Sequence, residues 1–271
     1  MYNILFYIIV VVVLLFLILK FQNSVPKTLW KTWYNYISKF NLETMNYGYS
    51  ELQDKKEKID NVNHFSINLY EKVANFKNLK NGDKILEIGC GRGGGIFHLA
   101  KKYPNYNFIG LDFSENAIKK AKKRYKLSNL KYDVGDAQNL PYKNNSFSCV
   151  LNVESSHCYF DFKKFLIEVK RVLKRNGILC YTDFRKDCLK EINAQFKIDF
   201  THNITPNVMK SLDSLYEYRK KQKNQIVRSG NLFDKFILYL FAYEFMGGPQ
   251  SKIYINLKTN KVKYLHIQAI N

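Results

Sequence analysis

The stretch ILEIGCGRGGG, residues 85–95, decides the expected fold of this chain. A short apolar run ends in a cluster of glycines, in which Gly89, Gly91 and Gly93 alternate with other residues. Glycine permits a tight turn and lets a ligand lie directly against the main chain, where a Cβ atom would clash. A glycine-rich loop between a strand and a helix is typical of sites that bind nucleotide-like molecules.

Strand-like and helix-like segments alternate around and beyond this loop. The predicted strands are KILEIG (84–89), NFIGLD (107–112), NLKYDVGD (129–136), SFSCVLNV (146–153) and GILCYTDF (177–184). The predicted helices are 93–103, 114–126 and 162–174. This alternation predicts an α/β fold in which helices cover both faces of a parallel sheet. With right-handed crossovers the result is a Rossmann-like, doubly wound sheet.

The end of the chain completes the expected sheet. The runs KIYINL (252–257) and KVKYLHIQAI (261–270), joined by KTN, are interpreted as two more strands and bring the number to seven. Residues 206–248 are interpreted as a helical, loop-rich insertion, and we expect it to form a lid.

Two acidic residues lie where the second and third strands are expected to end. Asp112 comes nineteen residues after Gly93, at a position where a carboxylate accepts hydrogen bonds from ribose hydroxyls. Asp136, followed by Ala137, could accept the amino group of adenine, and Phe113 could pack on the adenine ring. The alternatives are a helix cap for Asp112 and a simple turn for Asp136.

The residues of the loop separate two classes of adenosine-containing ligand. Glu87 stands two residues before Gly89, and its carboxylate would suit a ligand with an ammonium and a sulfonium group. The same charge would lie unfavourably near a pyrophosphate, and Arg92 is the one basic residue of the loop. S-adenosylmethionine is therefore favoured, and a dinucleotide dehydrogenase remains as an alternative.

At this point the chain resembles the class I S-adenosylmethionine-dependent methyltransferases over roughly residues 80–185. The matching motifs are Glu87 with the three glycines, Asp112, Asp136-Ala137 with LPY behind it, and RVLKRNG (171–177). The flanking runs MNYGY (45–49), LYEKVA (69–74) and ESSHCY (154–159) are similar to the phthiotriolone dimycocerosates methyltransferase-like branch, which methylates lipidic and polyketide hydroxyls. The resemblance implies that Glu87, Gly89 and Gly91 surround the methionine part of the cofactor. We also expect Asn152, at the end of the fourth strand, to contact polar groups of the cofactor.

Methyl transfer to a hydroxyl requires a base. His157, just beyond the fourth strand, is the best candidate because an imidazole exchanges protons near neutral pH. Glu154 could orient His157 or be the base itself, and a purely structural histidine is the alternative. Tyr47 and Tyr49 lie in a segment that could fold over the cofactor, where aromatic faces attract a sulfonium, or they could simply pack in the core.

The first residues predict a membrane anchor. Ile4 to Leu19 are sixteen consecutive apolar residues, with no Lys or Arg before them and several lysines after them. We therefore expect a single-pass anchor over 1–21 with the catalytic domain in the cytoplasm. A buried helix or a cleaved signal is the alternative. Beyond the anchor we expect an N-terminal helical segment or lid over 22–80 and the methyltransferase domain over 81–271.

Composition narrows the possible functions. The net charge of the chain is +20. The five cysteines are few and show no zinc-like spacing, so neither a disulfide scaffold nor a metal site is expected. The basic helix 114–126 reads as a solvated or membrane-facing surface, and no nucleic-acid partner is expected. The resemblance and the apolar N-terminus together imply a membrane-anchored methyltransferase for a hydrophobic hydroxyl acceptor. A sterol or fatty-acid carbon methyltransferase, a small-molecule methyltransferase with an incidental anchor, and a non-catalytic membrane adaptor remain open, as does the oligomeric state.

Overall fold

The computed structural model describes residues 45–53, 63–228, 247–249 and 251–271. The expected anchor over 1–21 lies outside these residues, as does part of the segment 22–80. Among the helices that are described, none combines the length and the apolar character needed to cross a bilayer.

Seven strands form one sheet in the described part of the chain. They are β1 (Lys84–Ile88), β2 (Asn107–Asp112), β3 (Leu130–Val134), β4 (Phe147–Val153), β5 (Leu173–Asp183), β6 (Lys197–Asn203) and β7 (Leu265–Ile270). Their order across the sheet is β3-β2-β1-β4-β5-β7-β6. The first five strands pair in parallel, whereas β7 runs antiparallel to both β5 and β6. The expected Rossmann-like sheet is confirmed, with one reversed strand near its edge.

Seven α-helices accompany these strands within the described residues. They are α1 (His64–Val73), α2 (Gly94–Lys102), α3 (Glu115–Arg124), α4 (Phe162–Val172), α5 (Cys188–Asn193), α6 (Thr205–Arg228) and α7 (Lys252–Lys258). Polar side chains begin several of them: Ser114 accepts a hydrogen bond from the backbone of Ala117, and Asp161 accepts one from Lys164.

In the last third of the chain one prediction was wrong and one strand was missed. Residues 252–257 form helix α7 rather than a strand, because Ser251 caps the first turn and Tyr254 and Leu257 bury one helical face. The missing strand is β6 (Lys197–Asn203), which lies at the sheet edge and whose exposed, polar side chains hid it from the sequence pattern.

Two apolar layers lie on opposite faces of the sheet. One packs α1, α2, α3, α6 and α7 against the strands, and the other packs α4 and α5. Alternation along each strand divides its side chains between them, so that Ile85 belongs to the first layer and Leu86 to the second. Both faces are therefore covered, as a doubly wound sheet requires.

The parallel strands all end at one edge of the sheet, and the segment 45–50 lies close to that edge. The backbone nitrogen of Tyr49 donates to the carbonyl of Phe65 at 2.9 Å. Ser50 and Asn207 exchange hydrogen bonds, which tie the segment to α6. Helices α6 and α7 enter between β6 and β7, so a helical insertion does precede the last strand.

Helix α4 offers a matched test of this packing. Leu166 is fully buried, whereas its neighbour Ile167 is 54% exposed. We expect Leu166→Ala to lower the free energy of unfolding by about 2–5 kcal/mol, because it leaves a cavity in a dense layer. We expect Ile167→Ala to change it by less than about 0.5 kcal/mol. Urea denaturation measures both, and equal effects would contradict this placement of α4.

Candidate functional site

The glycine loop turns sharply at the end of β1. Gly89 has a φ of 79°, a left-handed value that favours glycine, and its backbone nitrogen donates to the carbonyl of Leu111 at 2.8 Å. A Cβ atom on Gly89 would collide with Ser155 and lie 2.8 Å from the hydroxyl of Tyr159. The loop after β1 and the turn after β4 therefore touch at this glycine.

Asp112 joins the glycine loop to helix α3. It is 4% exposed, and its two carboxylate oxygens accept hydrogen bonds from the backbone nitrogens of Gly91 and Ser114, each at 2.9 Å. Burial raises the pKa of Asp112 to about 6. Each oxygen can accept a further bond, so hydroxyl donors such as those of ribose fit here. The cap of α3 is Ser114, so the expected capping alternative does not account for Asp112.

Glu87 lies fully buried on β1. Its Oε1 accepts a 2.6 Å hydrogen bond from the hydroxyl of Tyr70, whereas its Oε2 is buried without a partner in the described residues. Burial raises the pKa of Glu87 to about 8, and the charge of Asp112 adds to the rise. A buried oxygen with no donor is costly, and a cationic donor would satisfy it.

Asn152 holds a second buried oxygen of the same kind. Its Nδ2 donates to the carbonyl of Ile88 at 3.0 Å and lies within hydrogen-bond distance of Ser155 and Tyr159. Its Oδ1 has no partner in the described part of the chain. Two buried acceptors, Glu87 Oε2 and Asn152 Oδ1, thus await donors near the glycine loop, which fits the ammonium-bearing end of S-adenosylmethionine.

The loop after β3 contains Asp136 in a tight turn. Its Oδ1 accepts hydrogen bonds from the backbone and side-chain nitrogens of Gln138 at 3.1 and 3.3 Å, and its carbonyl accepts one from Asn139. The turn that the sequence left as an alternative is therefore present. Ala137 is buried beside it, and Phe113 is half-buried next to Asp112.

His157 lies on a one-turn 3₁₀ helix, Ser156–Cys158, that follows β4. Its Nδ1 lies 3.0 Å from Oδ1 of Asp183, a fully buried carboxylate at the end of β5. Burial alone would lower the pKa of His157, but Cys158 and Asp183 outweigh it and hold the pKa well above its usual range. The pKa of Asp183 is lowered because the imidazolium charge outweighs the burial of the carboxyl group.

Asp183, rather than Glu154, holds the imidazole ring of His157. Glu154 directs its Oε2 to the backbone nitrogen of Tyr47, at 2.8 Å, and to the hydroxyl of Tyr264. Burial raises the pKa of Glu154 to about 8. The expectation that Glu154 orients His157 is thus replaced by a link between Glu154 and the segment before α1.

Aromatic rings surround the imidazole. Phe184 stacks on His157 with ring centroids 4.4 Å apart and on Tyr47 at 5.7 Å. The ring of Tyr264 lies 6.0 Å from that of Phe184. Tyr47 is therefore part of this site, whereas Tyr49 packs beneath the ammonium group of Lys72 on α1.

Two residues of this site, Asp183 and Tyr70, were not predicted from the sequence. Asp183 ends a predicted strand, and the rule that selected Asp112 would also have selected it. Tyr70 lies in the LYEKVA run, but its contact with Glu87 depends on how α1 packs on the sheet.

The described residues contain no group of three or more side chains suited to hold a metal ion.

The assembled site combines two chemical functions at one edge of the sheet. Buried acceptors at the ends of β1, β2 and β4 suit a cationic, hydroxyl-bearing ligand. The imidazole of His157, fixed through Nδ1 by Asp183, leaves Nε2 available for proton transfer.

Comparison with known proteins places this site in a family. A family model described as a methyltransferase domain matches residues 79–231, more than half of the chain. The phthiotriol/phenolphthiotriol dimycocerosates methyltransferase of Mycobacterium leprae is 38% identical over 189 residues, which are 67% of this chain and 68% of that protein. The corresponding protein of Mycobacterium tuberculosis is also 38% identical, and the chain covers 63% of its length.

A third curated relative covers more of the chain. The fatty-acid O-methyltransferase of Mycolicibacterium smegmatis is 32% identical over 235 residues, which are 81% of this chain and 80% of that protein. Among solved structures, geranyl diphosphate C-methyltransferase of Streptomyces coelicolor, in complex with S-adenosyl-L-homocysteine, shares the fold. The TM-score is 0.62 and the identity is 14%, with 91% of this chain and 99% of that chain covered. The chain belongs to the methyltransferase domain family and is an S-adenosylmethionine-dependent methyltransferase.

Proposed function

We propose that this protein transfers a methyl group to a hydroxyl on a lipid-like, hydrophobic acceptor, with His157 as the base. The observation that carries the proposal is the contact between His157 Nδ1 and the buried carboxylate of Asp183, at the sheet edge that also holds Glu87 and Asp112. Such a pair orients the imidazole and stabilises the charge that it acquires when it accepts a proton.

We assign residues to the cofactor from the buried acceptor atoms that have no donor within the described residues. When bound, S-adenosylmethionine supplies a methyl group already activated on a cationic sulfur. The unpartnered oxygens of Glu87 and Asn152 would receive its ammonium group, and Asp112 would receive its ribose hydroxyls. In this proposal, Asp136 with Ala137 and Phe113 hold the adenine.

His157 suits the role of base better than Glu154 does. The pKa values of Glu154 and His157 are both raised, so each group must lose a proton before it can act as a base. The geometry separates them, because Oε2 of Glu154 is occupied by the backbone nitrogen of Tyr47 and the hydroxyl of Tyr264. His157 must likewise lose a proton first, so we expect turnover to increase as the pH rises through the pKa of the imidazole.

The relatives support a lipid-like acceptor without fixing its reacting group. One relative is named for phthiotriol/phenolphthiotriol dimycocerosates, and another is named for fatty acids. A hydroxyl must be deprotonated during transfer, whereas a carboxylate is already ionised at neutral pH and needs no base. The His157–Asp183 pair therefore favours the hydroxyl, and a fatty-acid carboxylate is the second candidate.

We expect the free protein to bind S-adenosylhomocysteine more tightly as the pH rises from about 6 to 8, because Glu87 must ionise to pair with an ammonium group. Glu87→Gln should weaken binding roughly 10- to 100-fold and flatten this pH dependence. Titration calorimetry at several pH values measures both effects. Glu71→Gln, which removes a surface carboxylate paired with Lys102, is the control. An unchanged Kd for Glu87→Gln would refute the assignment.

We expect His157→Gln to lower kcat for a hydroxylated lipid by about 10²- to 10⁴-fold while cofactor binding changes by less than about twofold. Asp183→Asn should also slow turnover, and it should shift the acidic limb of the pH profile downward because it removes a charge that raises the pKa of His157. Methyl incorporation from labelled cofactor measures these rates. If His157→Gln methylates fatty-acid carboxylates at the wild-type rate and hydroxylated lipids are inert, the second candidate replaces the first.

We also propose that residues 4–19 anchor the protein in a membrane, with the catalytic domain on the cytoplasmic side. The support is the uninterrupted apolar run and the lysines that follow it. We expect the full chain to stay in the membrane pellet after an alkaline carbonate wash, and a chain lacking residues 1–21 to be released. Release of the full chain would rule out the anchor.

A further inference from the structure

Arg185 holds both ends of the turn that carries His157. Its Nη1 donates to the carbonyl of Ser156 at 2.9 Å and to the carbonyl of Tyr159 at 3.2 Å. These carbonyls flank His157, which lies between them in the chain. Arg185 follows β5, and its Nη1 therefore holds the two ends of the turn at a set distance from each other.

The surroundings of Arg185 keep the guanidinium in place. The group lies 4.6 Å above the ring of Phe162, within the range of a cation–π contact. Its Nε is buried and has no hydrogen-bond partner in the described residues. A buried donor without an acceptor costs stability, so the overall fold gains little from this arrangement compared with an apolar side chain of similar size.

The same turn serves both halves of the site. The carboxylate of Asp183 accepts hydrogen bonds from Ser156 Oγ at 2.8 Å and from the backbone nitrogen of His157 at 3.1 Å. Tyr159, at the far end of the turn, contacts Asn152 near the glycine loop. A change in the span of the turn would therefore move the imidazole relative to Asp183 and to the cofactor residues.

We propose that Arg185 is a positioning residue, which holds the Ser156–Tyr159 turn so that His157 Nδ1 stays on Asp183 and Nε2 faces the acceptor. The inference rests on the proposed role of His157 as the base. Arg185 acts through the backbone of the turn and does not itself exchange a proton.

The direction in which the pKa of His157 changes in variants of Arg185 distinguishes a positioning role from a purely electrostatic one. The titratable groups that face His157 are Asp183 on β5, Cys158 in the turn and Glu154 before it. Loss of the Arg185 charge alone would raise the pKa of His157, because a nearby cation disfavours the imidazolium. Loss of the contact with Asp183 would lower it. Arg185→Lys keeps the charge but replaces the planar guanidinium with a single ammonium group, so it isolates the geometry.

The test is an NMR titration of full-length protein labelled with ¹³C at histidine Cε1. The protein has five histidines, and His157→Gln identifies the signal of His157. We expect Arg185→Met and Arg185→Lys each to lower the pKa of His157 by roughly 0.5 to 1 pH unit. We expect kcat to fall about 10- to 100-fold in Arg185→Met, because a small misplacement of the base slows transfer strongly. If Arg185→Met does not fold, Arg185→Lys decides the outcome.

Arg171→Met is the matched control. Arg171 also bonds two carbonyls, those of Leu140 and Tyr142, but it lies on α4 and pairs with Glu168. We expect this variant to leave the pKa of His157 and kcat unchanged. A pKa of His157 that rises or stays constant in both Arg185 variants would overturn the proposal. If the pKa falls but His157→Gln retains full activity, the positioning stands and the proposed base is wrong.

Discussion

The burial of ionisable groups at the carboxyl edge of the sheet is the constraint on which the rest of the structure depends. Glu87 and Asp112 are buried, and burial raises the pKa values of both, since none of the described residues places a cationic side chain against them. Asp183 is equally buried, but its pKa falls because the imidazolium of His157 faces it. The site thus holds one satisfied charge pair and one region that awaits a cation.

This contrast gives each half of the site its chemistry. Where the charge is already paired, the protein can hold an imidazole in a fixed orientation without help from a ligand. Where buried acceptors lack donors, a cationic ligand replaces the missing hydrogen bonds and relieves the cost of burial. The turn between β4 and α4 touches both regions, since Tyr159 contacts Asn152 and His157 contacts Asp183.

The sequence was most informative where function depends on local geometry. The glycine loop and Asp112 were predictable because a tight turn requires glycine and because the strand end lies at a fixed distance from the loop. The pairing of His157 with Asp183 was not predicted, since the two are 26 residues apart and meet only when β4 and β5 pair. Residues 252–257 fit both a strand and a helix pattern, and the cap by Ser251 settled the choice. Strand β6 was not predicted because an edge strand need not be apolar.

The order of the strands separates the residues around the glycine loop from the helical insertion before the last strand. The buried acceptors around the glycine loop come from β1, β2 and β4, whereas α6 and α7 are inserted between β6 and β7, at one end of the strand order. Helix α6 is tied to the segment that contains Tyr47, so replacement of that insertion would act on the side of His157 rather than on the loop after β1. Descendants of this scaffold can therefore diversify in the molecules that they modify while the reagent that they consume stays the same.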